Sequence, residues 1–491
     1  MKPGRVAVAA LFAGAMVARA QQVVPQLPIH VPTSEDVVGK IIDEGMRRSH
    51  TDADLRHLLD VIGPRLTGSP EVRRANEWTQ QKFKEYGMDR TALEPWTFGV
   101  GWTRGPMTVR MLTPQKRELL GVSWAWAPGT NGPVAGDVVY MDARTQADFE
   151  KRFKGKLAGK WVMMGLAYPT ENPADPPATH ADSARLDSAR AMLRARNDDE
   201  AKFLPRSTAF VAYEHPLGLV RAAEKQFGLF TMSGSPLAVS TLPQIVIGND
   251  VYSQFARLAK DGIPVQLEAD IHNAFSRDTA LQQWNTVGEI IGSERPNEVV
   301  LLGAHLDSWD LATGGTDNGA GAIAVLEAAR ILKASGVKPK RTIRFVLFTG
   351  EEEGLLGSQA YVQSHERELD SIQAVLVLDN GTGSIMGMTL QGREELRDMW
   401  KSMLSPVTSL GMLLVKSGNK TGTDHLSFQA YGVPSFNYDQ VTAGYNYTHH
   451  SQVDDYNSVV PREVAQAATI MAVNAWQFAD MPELLPRGKK Q

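Results

Sequence analysis

Three apolar runs in this chain end in the same kind of residue. "EVVLLGAHLD" delivers His305 and Asp307, "RTIRFVLFTGEEE" delivers Glu351, Glu352 and Glu353, and "IQAVLVLDNG" delivers Asp379. Between the first two, "GGTDNGAG" sets Asp317 among glycines. Burying an unpaired carboxylate costs several kcal/mol, so acids gathered at the ends of buried segments call for a cation to meet them. Cysteine is absent, which removes disulfides, thiolate ligands and a cysteine nucleophile together. A metal must therefore rest on His, Asp and Glu, a donor set that suits Zn²⁺ in a hydrolytic site, with Mn²⁺ or Co²⁺ as substitutes.

Each residue has a chemical role and a plainer alternative. His305 offers an imidazole. Asp307, two residues on, shares its face of an extended strand and is expected to accept a hydrogen bond from the ring's other nitrogen; a turn-forming aspartate is the alternative. Asp317, at a glycine corner before a helix, can bridge two metals or simply cap that helix. Adjacent acids repel unless one binds metal and the other carries protons, which assigns Glu352 to metal and Glu351 to general base. Glu353 reads as a residue of a helix first turn. The glycine-rich loop has no G-x-x-x-x-G-K-[ST] pattern and is acidic, so it would repel phosphate.

These residues need elements that bring strand ends together. From Trp284 onward, runs rich in Val, Ile and Leu alternate with helical patterns such as "GAGAIAVLEAARILKASG" and "EVAQAATIMAVNAWQFAD". Such alternation predicts a mostly parallel sheet covered on both faces, with ligands beyond the carboxyl ends of its strands. Earlier, "SPEVRRANEWTQQKFKEYG" predicts a helix with Ser69 as N-cap, Pro70 first and Gly87 as terminator. Further helical spacing starts after Ser34 and in "DADLRHLLDVIG". From about Gly105 the texture turns to short β-rich pieces, with a polar excursion from Pro169 to Arg206. No dense ligand cluster and no internal repeat is present there. The fold class expected is α/β: a mixed, mostly parallel sheet with helices on both faces, interrupted by an inserted β-rich domain.

At 491 residues, 43% hydrophobic and 22% charged, the chain has the composition of a folded protein with two or three structural units. A net charge of −4 without a long basic run argues against a nucleic-acid partner. The first twenty residues carry Lys2 and Arg5, an apolar run from Val6 to Val17, then small residues at Ala18 and Ala20. This order predicts a secretory signal cleaved after Ala20, because the run is shorter than the ~20 residues a spanning helix needs. The mature chain is then expected in the periplasm or outside the cell, with no membrane association.

The set "HLDSWD", "TDNGAG", "EEEGLLGS", "VLDNG" and "YTHHSQVDD" resembles the M28 zinc peptidases, with order and spacing most like the carboxypeptidase Q branch. The inserted segment resembles a protease-associated domain. The resemblance implies residues 1–20 as signal peptide, 35–104 and 284–482 as the two parts of a peptidase domain, and 105–283 as the insert. It implies two Zn²⁺ per chain, one on His305, Asp317 and Asp379, the other on Asp317, Glu352 and His450, with Asp317 as the bridge. It also implies a cis peptide from Asp317 to Asn318. In the family pattern H-[ST]-x-x-D, His450 is followed by Ser451 and Asp454, which leaves His449 near the oxyanion of the reaction. "GTDHLSF" resembles a segment whose acid, here Asp424, belongs to the active-site hydrogen-bond network. "VLDNG" departs from the form with small residues after the acid, and leaves substrate preference open.

The expected activity is hydrolysis of terminal peptide bonds in small peptides, with dipeptides foremost; aminopeptidase and carboxypeptidase action both remain open. The family also implies a homodimer. A non-catalytic binding protein like the transferrin receptor is the alternative from another class, but such proteins lose part of the ligand set, and all five candidates stand here. A cyclising acyltransferase of the glutaminyl cyclase type would use one zinc rather than two.

Overall fold

The computed structural model describes residues 29–165, 198–381, 383–442 and 444–490. The expected signal peptide and most of the polar excursion lie outside them. Among the described residues no helix is long and apolar enough to cross a membrane.

The first eight-stranded sheet carries the candidate residues. Its strands in chain order are β1 (Arg90–Gly99), β2 (Leu281–Ile290), β3 (Arg295–His305), β4 (Arg341–Phe348), β5 (Ile372–Val377), β6 (Ile385–Thr389), β7 (Leu414–Lys416) and β8 (Ser435–Gln440). They lie in the order β1-β2-β4-β3-β5-β8-β6-β7. The centre, β4-β3-β5-β8, is parallel, while β1, β2 and β6 pair antiparallel with their inner neighbours. The sheet is thus mixed, with a parallel heart.

Strand β3 shows why this heart forms. Val300, Leu302 and Ala304 join one core and Val299 and Leu301 the other, the period-two split of a strand buried on both faces. On the first side lie α1 (Glu35–Arg47), α3 (Ala320–Ala334) and α5 (Pro461–Asp480). Helix α3 is buried on every side from Ala320 to Leu332: its circumference is alanine-rich and apolar apart from Glu327 and Arg330, which pair with each other, Arg330 also pairing with Glu44. On the second side sits α4 (Leu356–Ser364), through Tyr361 and Val362. Helix α2 (Pro70–Glu85) begins as its sequence specifies, with Ser69 accepting from the Val72 amide at 3.2 Å.

A second eight-stranded sheet is built between β1 and β2. Its centre is four parallel strands, Val134–Met141, Trp161–Met164, Gly218–Ala222 and Gln244–Ile247, with helix Asn249–Lys260 packed on one face through Tyr252 and Phe255. Because β1 and β2 are paired neighbours, from Arg90–Glu289 to Gly99–Leu281, the chain leaves and re-enters the first sheet at one place. A whole second sheet fits there without disturbing the register of the first. An aromatic cluster that includes Trp96, Phe98, Trp102, Trp126 and Trp309 fills the junction.

Candidate metal centre

The parallel register of β3, β4 and β5 brings their carboxyl ends side by side. His305 ends β3 opposite Phe348 at the end of β4. Glu351 and Glu352 follow β4, and Asp379 follows β5. His305, Asp317 and Asp379 are essentially buried, and their donor atoms converge: His305 Nε2 lies 3.3 Å from Asp317 Oδ1 and 3.5 Å from Asp379 Oδ1. On the other side of Asp317, His450 Nε2 lies 3.5 Å from Oδ2 and 2.9 Å from Glu352 Oε2. The five residues thus form two groups sharing Asp317.

Asp317 is not a helix cap. It lies in the turn Gly315–Gly319 with φ −132° and ψ 87°, and α3 starts after Gly319. The Asp317–Asn318 peptide is cis, as the resemblance implies. Asp454 holds this turn, accepting from the amides of Thr316 (2.7 Å) and Asp317 (3.1 Å) and from the Thr316 hydroxyl (2.7 Å). With three donors on its carboxylate, Asp454 is a support for the loop.

The two adjacent histidines share one side because the chain kinks between them. In extended backbone their rings would point apart; His450 instead takes a left-handed φ of 57°, and the rings stack with centroids 3.8 Å apart. His449 Nε2 thereby also comes within 3.8 Å of Asp317 Oδ2. Both histidines, not His450 alone, form a cluster with Asp317. His450 is the more enclosed and alone meets Glu352.

Two expectations need correction. The His305 Nδ1 atom lies 3.1 Å from the backbone carbonyl of Asp307 and 3.6 Å from its carboxylate Oδ1. The strand ends at His305, so Asp307 has turned and its main chain, not its side chain, orients the ring. The Asp307 Oδ2 atom instead accepts from the Thr67 hydroxyl at 2.9 Å and the Glu352 amide at 3.3 Å, which ties the β3 and β4 ends together. Glu353 is not in a helix first turn. It precedes α4 and is buried, because the chain turns at Glu351–Gly354 before the helix begins.

The electrostatics fit a cation. Burial alone would lower the pKa of His305, yet Asp379 and Glu351 raise it well above 6.5: a proton is held where a positive charge is wanted. Burial raises Asp317 too, but His305, His450 and His449 outweigh it and hold its carboxyl below the usual range. Burial, with neighbouring acids, raises Glu351 and Glu352 well above 4.5. Asp424, fully buried, is pushed up to about 7 by burial, and its charge acts on Glu351. His305 Nε2, Asp317 Oδ2, Glu352 Oε1 and Asp379 Oδ1 are buried with no hydrogen-bond partner among the described residues. Buried imidazole nitrogen and carboxylate oxygens left without a hydrogen-bond partner are the donor set that divalent ions bind.

Sequence reasoning missed the supports of this centre. Arg65, fully buried, donates to the carbonyls of Leu306, Gly63, Thr313 and Gly314, stitching the two loops that carry Asp307 and Asp317. Burial lowers its pKa to about 10, against the pull of Asp454 and Asp307. Thr67 donates to Asp307 and accepts from the Gly350 amide at 3.1 Å. Trp309 packs against His450, ring centroids 5.8 Å apart. Only Asp454 had a signal, as the last residue of H-[ST]-x-x-D.

Residues 285–475 match the peptidase family M28. Carboxypeptidase Q of Bos taurus is 30% identical over 458 residues, covering 92% of this chain and 90% of that protein. The crystal structure of a peptidase M28 precursor from Shewanella amazonensis superposes with TM-score 0.74 at 25% identity, covering 93% and 99%. A zinc aminopeptidase from Bacillus subtilis shares the fold at TM-score 0.61 and 18% identity, covering 88% and 97%. The chain belongs to peptidase family M28 and is a metallopeptidase, a hydrolase.

Proposed function

We propose that the chain is an exported di-zinc exopeptidase acting on small peptides, with His305, Asp317 and Asp379 holding one ion and Asp317, Glu352 and His450 the other. The observation that carries this reading is the pair of donor groups meeting at Asp317, each with buried donor atoms left without a hydrogen-bond partner among the described residues. The names of the Bos taurus and Bacillus subtilis proteins support exopeptidase chemistry and zinc respectively. Bound there, the ions would lower the pKa of a water molecule and polarise the scissile carbonyl.

The chain's own residues do the rest. Glu351, at the mouth of the β4 turn, accepts the proton of the attacking water and passes it to the leaving amine. Asp307 and Thr67 hold the turns that carry His305 and Glu352 in fixed relation. His449, the more exposed of the stacked pair, is the residue we read as donor to the oxyanion. Asp424 tunes Glu351 through its charge. We read residues 35–104 and 284–482 as the peptidase unit and 105–283 as an inserted protease-associated domain. Export rests on the order of charged, apolar and small residues in the first twenty positions. Homodimer formation is part of the same reading, and sedimentation velocity decides it.

The test is zinc content per purified chain, with hydrolysis of free and end-blocked dipeptides measured before and after chelation. Two zinc per chain and chelator-sensitive cleavage, lost when one terminus is blocked, is the expected result; the terminus whose blocking abolishes cleavage distinguishes aminopeptidase from carboxypeptidase. A metal-replete chain that holds no zinc and cleaves none of the panel refutes the reading.

A further inference from the structure

The second sheet does more than occupy the gap between β1 and β2. A segment that follows its strand Gly218–Ala222 crosses to the histidine pair and makes five hydrogen bonds there. The Lys225 ammonium donates to the carbonyl of His449 and, at 3.3 Å, to that of Tyr447. The Met232 amide donates to the carbonyl of His450 at 3.0 Å. The Phe230 amide donates to Gln452 Oε1 at 2.9 Å, and Gln452 Nε2 donates to the Gly228 carbonyl at 2.8 Å. The main-chain carbonyls of both histidines are thus held by residues of the other unit.

The segment is itself anchored. The Ala223 amide donates to the Ile247 carbonyl at 2.8 Å, and Ala223 and Phe230 pack with Val246 of the second sheet. Leu311, from the loop between His305 and Asp317, packs against the same cluster. One residue before it, Asp310 receives both arms of Arg104, each at 2.9 Å; Arg104 stands just before the second unit and is tied to it by donating to the Ser123 hydroxyl at 3.1 Å. The second unit therefore grips two loops of the centre, one before Asp317 and one at the histidines.

The need for such a grip lies in His450. A left-handed φ is uncommon for a residue with a side chain, and it persists where the surroundings over-determine it. Without the kink the two rings would point apart and only one could face Asp317. Lys225 lies within electrostatic reach of Asp454 and Asp317, yet its ammonium is spent on carbonyl oxygens at the kink. Its contribution is geometric.

We propose that the segment from Lys225 to Met232 sets the position of the His449–His450 pair, and that Lys225 is the positioning residue through which the second unit completes the metal centre. The inference rests on the reading of His450 as a zinc ligand. It gives the inserted unit a part in catalysis that does not involve touching substrate.

The test compares Lys225→Met, which keeps the aliphatic stem, and Lys225→Arg, which keeps the charge, with the wild-type chain. Zinc affinity is measured by chelator competition, kcat and KM on a cleaved dipeptide, and Tm by calorimetry. Lys225→Met is expected to hold one of its two zinc ions roughly 10- to 100-fold more weakly and to lose a similar factor in kcat, with KM changed less and Lys225→Arg recovering most of both. A folded Lys225→Met with zinc affinity and kcat within about twofold of wild type, only its Tm lowered, overturns the inference while leaving the zinc reading intact. A wild-type chain that binds no zinc refutes the zinc reading itself, and this inference with it. Where Lys225→Met does not fold, Gln452→Leu removes the neighbouring pair of bonds, and the same readouts decide.

Discussion

Glu351 and Glu352 are neighbours in the chain, and the geometry around them separates their tasks. Glu352 faces His450 at 2.9 Å, while Glu351 lies among the charges of His305, Asp379 and Asp424. If Glu351 is the general base, Glu351→Gln keeps the shape of the turn and loses the proton acceptor. Turnover should fall by about 10² to 10⁴ fold with zinc content unchanged, as read by steady-state kinetics and metal analysis of one preparation. Near-full activity would remove the role from Glu351. Asp454 offers a contrast at the same scale: its three bonds go to Thr316 and Asp317, so Asp454→Asn would be felt through the placement of Asp317 and the retention of metal.

At the scale of elements, the parallel centre of the sheet explains why acids far apart in sequence meet. Three consecutive β-to-loop junctions in register present their terminal residues along one edge, and β4 and β5 flank β3. The periphery is held by different chemistry. At the end of α4, His365 Nε2 meets Glu94 Oε2 of edge strand β1 at 2.9 Å, and its ring stacks on Tyr361, centroids 4.2 Å apart. Burial alone would lower the pKa of His365, but the Glu94 carboxylate raises it above 6.5. A pKa raised in the folded state stabilises below the unfolded pKa, and that stabilisation is lost as pH rises through the folded value. His365→Gln should therefore cost more near pH 5.5, by up to about 1 kcal/mol, than near pH 8.5. Urea midpoints of both proteins at the two pH values check this; an equal cost at both would mean the pair is not charged in the fold.

For the whole molecule, the centre is a concentration of buried acids at the meeting point of two sheets. Without a bound cation those acids repel one another; with one they link the ends of β3, β4 and β5 to the loops around Asp317 and His450. Any ligand that binds the folded state alone stabilises it by about 2.7 kcal/mol at a hundredfold excess over Kd. Chelation is expected to lower Tm by several degrees and zinc to restore it, measured by calorimetry on one sample. An unchanged Tm would mean that the acids are already satisfied by protons and that cation binding adds little to the fold.

Much of this is legible in the residues themselves. Apolar runs ending in His305, Glu352 and Asp379 announce a parallel sheet and its active edge, because strand burial and strand-end chemistry are both local in sequence. The N-cap at Ser69, with Pro70 after it, is local for the same reason. The supports are not. Arg65 and Thr67 act on residues about 240 positions away, and no periodicity or motif connects them. The turn of Asp307, the burial of Glu353, the stacking of His449 on His450 and the reach of Lys225 depend on backbone angles and on the docking of the second sheet. Residue types determined what this chain can bind and roughly where; only the tertiary structure decided how those groups are held, because positioning comes from long-range hydrogen bonds between segments whose sequences carry no record of one another.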